Sequence, residues 1–354
     1  MEKNITMGII RCSIFAAVKN ERMKKVVLGN SGLEVSAVGL GCMGFSHAYG
    51  EALNLTEISE LIMGAVDLGY TFFDTAEVYG SEHDPHHNER MLGEILGPIR
   101  DKIVLATKFG VHFEDIDDGN ATRPLITDSS PETIRRSVDN SLRRLQTDRI
   151  DLYYQHRIDP KVEPETVAEV MTELIREGKI LHWGISEANE EYLRRAHAVC
   201  PVAAVENRYS MMARWHESLF PVLNELGIGF VAFSPMANGL LTGCYNAQSH
   251  FDRKTDFRAV MAQFSAESFA KNRELFHLIN TLAETHQATP AQISLAWMIN
   301  KGIVPIPGTR KLSRMEENAG AASIEMSADE LEPIDTALDG MEMSAVFGGS
   351  KIIK

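Results

Sequence analysis

The 354 residues carry a formal charge of -14 and are 44% hydrophobic, enough apolar material for a large core. The acidic balance argues against nucleic acid or an anionic membrane as the main partner, since both call for a basic face. Four cysteines, Cys12, Cys42, Cys200 and Cys244, are scattered without a C-x-x-C pair, a spacing that supports neither a zinc site nor a disulfide framework and fits free thiols in a reducing compartment.

Residues 1–22 read as an extension ahead of the folded chain, disordered or begun upstream of a natural start at Met23. The segment MGIIRCSIFAAV is apolar, but Arg11 interrupts it and the charged KNER follows where a signal peptide would place a small-residue cleavage site. No apolar run approaches the ~18 residues of a membrane span, and a cytoplasmic location is expected.

From Lys24 the pattern is KKVVL, the turn Gly29-Asn30-Ser31-Gly32, then LEVSAVGLG, a β-hairpin expected to cap the bottom of a barrel. GLGCMG at 39–44 formally matches G-x-G-x-x-G. A dinucleotide fingerprint opens directly into a helix, whereas FSHAYGEALN intervenes here before helical periodicity begins at Leu55. The motif reads as a glycine-rich strand end.

Strands and helices then alternate. Thr56 is a candidate N-cap for TEISELIMGAVDLGY, which leads into TFFDTA. NERMLGEILGPIR precedes KIVLATKFG. After a polar loop, Ser130 caps and Pro131 opens the helix SSPETIRRSVDNSLRRLQ ahead of IDLYYQHR. PETVAEVMTELIREGK precedes ILHWGIS, EEYLRRAHAV precedes VAAVENRYS, SLFPVLNELG precedes GFVAFSP, and TPAQISLAWMINKG precedes IVPIPGT, with SRMEENAGAAS after it. Eight strand candidates separated by helices give the count and size of an α/β fold, a (β/α)8 TIM barrel over residues 23–340. A polar segment after strand seven, residues 238–269, reads as a long loop without structure of its own that overhangs the barrel mouth. The helix candidate ADELEPIDTALDG and a tail over 341–354 close the chain.

Parallel barrel strands all open on one face, so residues at their tips meet there. Asp74 ends TFFD, with Tyr79 one loop further on; Lys108 ends LATK, and His156 follows DLYYQ. A phenol, with a reference pKa of about 10, does not shuttle protons near neutral pH unless a cation stabilises its phenolate. Lys108 is the candidate cation, Asp74 its counter-ion, and His156 a hydrogen-bonding partner for whatever sits on the phenol. The set describes a proton donor tuned towards neutrality.

Around the last strand Thr309, Arg310, Lys311 and Arg314 form a basic knot at a helix start, where backbone N–H groups and guanidinium forks favour phosphate. His83, His86 and His87 crowd one polar loop, SEHDPHHNE, and read as a solvated rim; a metal-dependent hydrolase built on His83, His86 and Glu89 would draw its ligands from several strand tips. Trp215 and His216, after the sixth strand, are candidates for lining a substrate pocket, and Met211 and Met212 for packing or for the same pocket.

In their order along residues 23–340, FDTAEVYG, LATKFG, DLYYQH, WGIS, AFSP and IPGTRKLSRMEEN resemble the aldo-keto reductase superfamily. The stretch SSPETIRRSVDNSLRRLQTDRIDLYYQHRID, with GISEA, is most similar to the branch that holds perakine reductase. The resemblance implies a barrel that reduces aldehydes and ketones to alcohols with NADPH, acting on a small-molecule carbonyl substrate. It implies a tetrad of Asp74, Tyr79, Lys108 and His156. Tyr79 protonates the carbonyl oxygen as hydride reaches the carbon, Lys108 and Asp74 lower the tyrosine pKa, and His156 orients the carbonyl. It further implies that Thr309, Lys311 and Arg314 hold the 2′-phosphate of NADPH and that Glu317 and Asn318 contact adenine. Phe233 would stack on the nicotinamide, Ser234, Met236, Gly239 and Leu240 would lie over the pyrophosphate, and Ser186 would contact the carboxamide.

Glu206 departs from the family pattern, which usually has Gln as a carboxamide partner. An amide donates and accepts, whereas an ionised carboxylate only accepts; Glu206 is left to take the carboxamide N–H2 or to pair with Arg208. Glu187 likewise stands where Asn follows the fifth-strand Ser in other branches. A second reading by resemblance is a barrel that binds NADPH as a sensor or regulatory subunit, like the potassium-channel β subunits. Glu206 favours that reading and the tetrad opposes it.

Overall fold

The computed structural model describes residues 23–114, 123–347 and 352–353; the extension expected over 1–22 lies outside them. Strands β1 (Lys25–Val27) and β2 (Glu34–Ser36) pair antiparallel, with Val26 opposite Val35. Leu28, Leu33 and Val35 are buried in one cluster with Phe72, Val231 and Val304. Asn30 N donates to Gly227 O at 2.7 Å, in the turn that feeds the seventh barrel strand. The hairpin therefore plugs the end of the barrel opposite the strand tips, as expected.

The chain continues through β3 (Leu40–Gly41), β4 (Phe72–Asp74) and β5 (Val104–Phe109), a short antiparallel pair β6 (Val111–Phe113) and β7 (Leu125–Thr127), and then β8 (Ile150–Gln155), β9 (Ile180–Ser186), β10 (Ala204–Arg208), β11 (Gly229–Phe233) and β12 (Val304–Pro305). Leaving aside the β6–β7 pair, β3 to β12 are parallel neighbours in chain order, eight strands in one sheet. Such strands are covered on both faces, and β8, IDLYYQ, is buried at every position. Gly39 N donates to Pro305 O at 2.9 Å and Gly41 N to Pro307 O at 3.4 Å, so the first strand meets the last. A Cβ on Gly41 would stand 2.8 Å from Ile306 O. GLGCMG is thus glycine-rich because it closes a barrel.

Helices α1 (Leu55–Asp67), α2 (His87–Leu96), α3 (Pro131–Arg144), α4 (Pro164–Arg176), α5 (Glu190–Val199) and α6 (Phe220–Leu226) connect the strands up to β11; α7 (Ala266–Lys271), α8 (Arg273–Thr285) and α9 (Pro290–Asn300) separate β11 from β12, and α10 (Leu312–Gly320) and α11 (Ala328–Gly340) follow. Ser130 and Pro131 open α3 as expected. The cap of α1 is Asn54 and not Thr56. Its side chain accepts from Glu57 N at 3.0 Å while Glu57 accepts from Asn54 N at 2.9 Å, a reciprocal box that draws Leu55 and Thr56 into the first turn.

Other expectations change too. The segment 238–269 is not structureless: it holds 3-10 turns at Ala237–Thr242, Phe257–Val260 and Ala262–Phe264, and the start of α7. Helix α8 has no counterpart among the expected elements, although Leu275, Ile279 and Ala283 bury one stripe. The polar loop ahead of α3 holds the β6–β7 pair, and the tail expected over 341–354 returns to it as β13 (Ile352–Ile353), parallel to β7. Among the described residues no helix is long and apolar enough to cross a membrane.

Candidate active site

The tips of β4, β5 and β8 bring the four predicted catalytic side chains together. Lys108 is fully buried. Its Nζ donates to Asp74 Oδ1 in a short ion pair and to Thr75 O at 2.9 Å. It lies 3.3 Å from Glu206 Oε1 and 5.2 Å from the centre of the Tyr79 ring. Tyr79 in turn meets His156 edge to face. The parallel register explains the assembly: Asp74 sits opposite Ala106 on β5, one pleat below Lys108, and Glu206 stands level with Ser186.

Charge at this floor is dominated by burial. Burial pushes the Tyr79 phenol up to about 12; Lys108 opposes the rise, and Asp74 and Glu206 add to it. That corrects the expected tuning towards neutrality, because burial outweighs the lysine, which two carboxylates also share. Burial alone would lower Lys108, yet Asp74 and Glu206 hold its ammonium above the ordinary range. Burial, then the Arg157 and Lys108 charges, keep His156 well below the usual histidine range, so the ring is neutral near pH 7, with Nδ1 buried and without a hydrogen-bond partner among the described residues. Glu206 does not pair with Arg208. The Arg208 backbone N donates to Glu187 Oε1 at 2.9 Å, and its guanidinium stacks 4.9 Å from the centre of the Phe233 ring.

A cavity of about 810 Å³ opens over this floor. One end is lined by Asp74, Tyr79, His156, Ser186, Glu206 and Phe233; the wall continues through Ser234, Met236 and Gly239, and Thr309, Lys311, Arg314, Glu317 and Asn318 line the other end. Lys108 lies beneath the floor. Leu240, expected over the pyrophosphate, does not line the cavity: its side chain is buried in the main core, because the turn that exposes Gly239 points the next residue inward.

The wall has an unusual backbone. Ser234 (φ 51°), Ala237 (48°), Asn238 (59°) and Gly239 (98°) all lie in the left-handed region. Residues of this kind turn N–H groups into concavities that suit anions, and strain of this sort collects at binding sites. At the far end Lys311 is the N-cap of α10 and contributes no side-chain cap. Arg314 pairs with Glu317 through Nη1 and donates from Nη2 to Cys244 Sγ at 2.8 Å.

Tyr49, Arg258 and Cys244 are among the further residues that line the cavity. Tyr49 accepts from Asn238 Nδ2 at 2.7 Å, Arg258 forks onto Asp256 and donates to Tyr245 Oη at 2.5 Å, and Cys244 lies beside Arg314. No sequence spacing marks them. They meet because residues 48–50 pair with 255–257, Gly50 N donating to Thr255 O and Phe257 N to Ala48 O. Trp215 and His216, by contrast, do not reach the cavity: Trp215 is 53% exposed, and His216 bonds Asn207 at 3.1 Å. In the histidine-rich loop, His86 Nδ1 is held 2.6 Å from Glu77 O, while His83 and His87 lie against Glu82 and Asp84.

Comparison with known proteins agrees with this geometry. The model of the Aldo/keto reductase family matches residues 37–339. A protein from Glycine max named Probable aldo-keto reductase 1 is 38% identical over 335 residues, which span 93% of this chain and 92% of that protein. The solved holo form of an aldo-keto reductase from Bacillus halodurans aligns with a TM-score of 0.72 at 26% identity, over 92% of this chain and 99% of its own. A glycerol dehydrogenase from Gluconobacter oxydans aligns with a TM-score of 0.80 over 92% and 98%; at 24% identity that likeness is one of fold.

Proposed function

Because the chain belongs to the aldo/keto reductase family, we propose that it reduces small or aromatic aldehydes, ketones or dicarbonyls to alcohols with NADPH, with Tyr79 as the proton donor. The observation that carries this reading is the buried Asp74–Lys108 pair beneath Tyr79, facing a cavity whose far end is cationic. When bound, the nicotinamide supplies the hydride.

The chain's own groups suit such a cofactor. Lys311, Arg314 and the α10 N-terminus would take a phosphate in an otherwise acidic protein, and the left-handed wall from Ser234 to Gly239 would take a pyrophosphate. Glu206 Oε2, buried and without a partner among the described residues at the other end, lies on the strand position level with Ser186. Tyr79, pushed up to about 12, keeps its proton across the neutral range, as a donor must. Neutral His156 can donate to the carbonyl oxygen without competing as an acid, and Lys108 stabilises the phenolate left behind.

The raised phenol also favours the second reading, a barrel that binds NADPH with little turnover. NADPH oxidation with an aromatic aldehyde or a 1,2-dicarbonyl separates the two. Turnover by the native protein and its loss in Tyr79→Phe supports the reductase; equal turnover in both removes Tyr79 from the mechanism. Tight NADPH binding with no turnover in either supports the sensor.

A further inference from the structure

Asp74 on β4 and Glu206 on β10 converge on one ammonium, Lys108 Nζ. Both side chains are buried, and each leaves one oxygen, Asp74 Oδ2 and Glu206 Oε2, that no donor among the described residues reaches. The two carboxyl groups thus crowd round a single cation, and the charge of Asp74 raises the cost of ionising Glu206. Two carboxylates cannot bond to each other unless one carries a proton, and a single lysine charge balances only one of them. Asp74 holds the short contact with the ammonium, whereas Glu206 stands off at 3.3 Å.

We propose that Asp74 and Glu206 share one proton, carried by Glu206, so that Glu206 works as an uncharged, amide-like acid that donates to Asp74 and accepts from Lys108. Burial, and after it the Asp74 charge, push Glu206 up to about 8, which agrees with the contacts. The titratable groups around Glu206 are Asp74 from β4, Tyr79 from the loop after it, Lys108 from β5 and Tyr154 from β8; its register partners Ser186 on β9 and Val231 on β11 bring no charge. Below that pH the floor holds one positive and one negative charge. Above it a second negative charge appears beneath Tyr79 and opposes formation of the phenolate. Glu206 is therefore a positioning residue that acts through Lys108 and Tyr79. That last consequence, unlike the shared proton, rests on the reductase reading.

The proton is read directly by infrared difference spectroscopy of the ligand-free protein. The carbonyl stretch of a protonated carboxyl is expected at neutral pH, fading as pH rises through about 8, and missing from Glu206→Gln. No such band, or a band that survives Glu206→Gln and disappears in Asp74→Asn, overturns the proposal; near-UV circular dichroism checks that each variant is folded. The consequence for Tyr79 is read from the pH profile of alcohol oxidation, where the phenolate is the base: Glu206→Gln should move the acid limb about one unit lower, and an unmoved limb removes Glu206 from the control of Tyr79. A band that behaves as expected in a protein without turnover supports the shared proton and sinks the reductase reading.

Discussion

The rings of Tyr79 and His156 stand edge to face, their centroids 5.7 Å apart and their planes at 86°, so the phenol is held by packing as well as by its polar neighbours. Tyr79→Phe keeps that contact and removes only the hydroxyl. Its expected effect is a loss of about 10²–10⁴-fold in kcat, with NADPH affinity, measured by fluorescence titration, essentially unchanged. A parallel loss of affinity would mean that the ring, and not its proton, is what the site needs.

The pH dependence rests on the two perturbed groups. His156 lies well below the ordinary range, so carbonyl reduction should show no limb from its ionisation between pH 6 and 8. The phenol is pushed up to about 12, and its base form is scarce at neutral pH. Alcohol oxidation should therefore climb with pH through the alkaline range. Lys108→Met removes the cation that most opposes the rise, ahead of Arg157, which should depress oxidation further at any given alkaline pH. A bell centred near pH 6.5 in the reduction profile would contradict the neutral histidine.

Arg314 tests the cofactor's orientation. Arg314→Leu should weaken NADPH about 10- to 100-fold, the equivalent of one charge-assisted hydrogen bond of about 1.5–3 kcal/mol, and change NADH far less. Comparing the two dissociation constants decides it, since an equal loss for both would place Arg314 away from the 2′-phosphate.

Stability has a separate anchor. Arg100 pairs with Asp151 at 2.6 Å, both nearly buried, and Arg100 also donates to Thr147 Oγ1, Ile103 O and Arg149 O, while Asp151 accepts from Leu105 N at 2.7 Å. Arg100→Met leaves a buried carboxylate without its cation and should cost about 3–5 kcal/mol in denaturant unfolding. Adding Asp151→Asn should recover part of that loss, and additive losses would argue against a coupled pair.

The barrel and its four tip residues were legible because β-prone runs ending in Asp74, Lys108 and His156 have few other structural uses. What the sequence left obscure was energetic. Nothing in AVENRYS says that Glu206 folds against Lys108, and without that second carboxylate the phenol looks easier to ionise than burial makes it. Helix α8 was hidden by its polar face, Arg273, Glu274 and His277, directly after a long polar stretch. Leu240 was misplaced because a loop with four left-handed residues breaks any periodicity that would tell wall from core. Tyr49 and Arg258 became partners only through the pairing of two loops some two hundred residues apart, a contact no local pattern encodes.

The closure of the barrel carries a last consequence. Between β3 and β12 it rests on two backbone hydrogen bonds, from Gly39 and Gly41 to Pro305 and Pro307, and prolines have no N–H to add a third from the other side. The ring is most easily unzipped here, so these two glycine amides should exchange with solvent earlier than those of the buried β8. Gly41 and Gly308 face the cavity from either side of the seam. A ligand laid along the mouth would bridge them like a clasp, coupling how long it stays bound to how long the barrel stays shut.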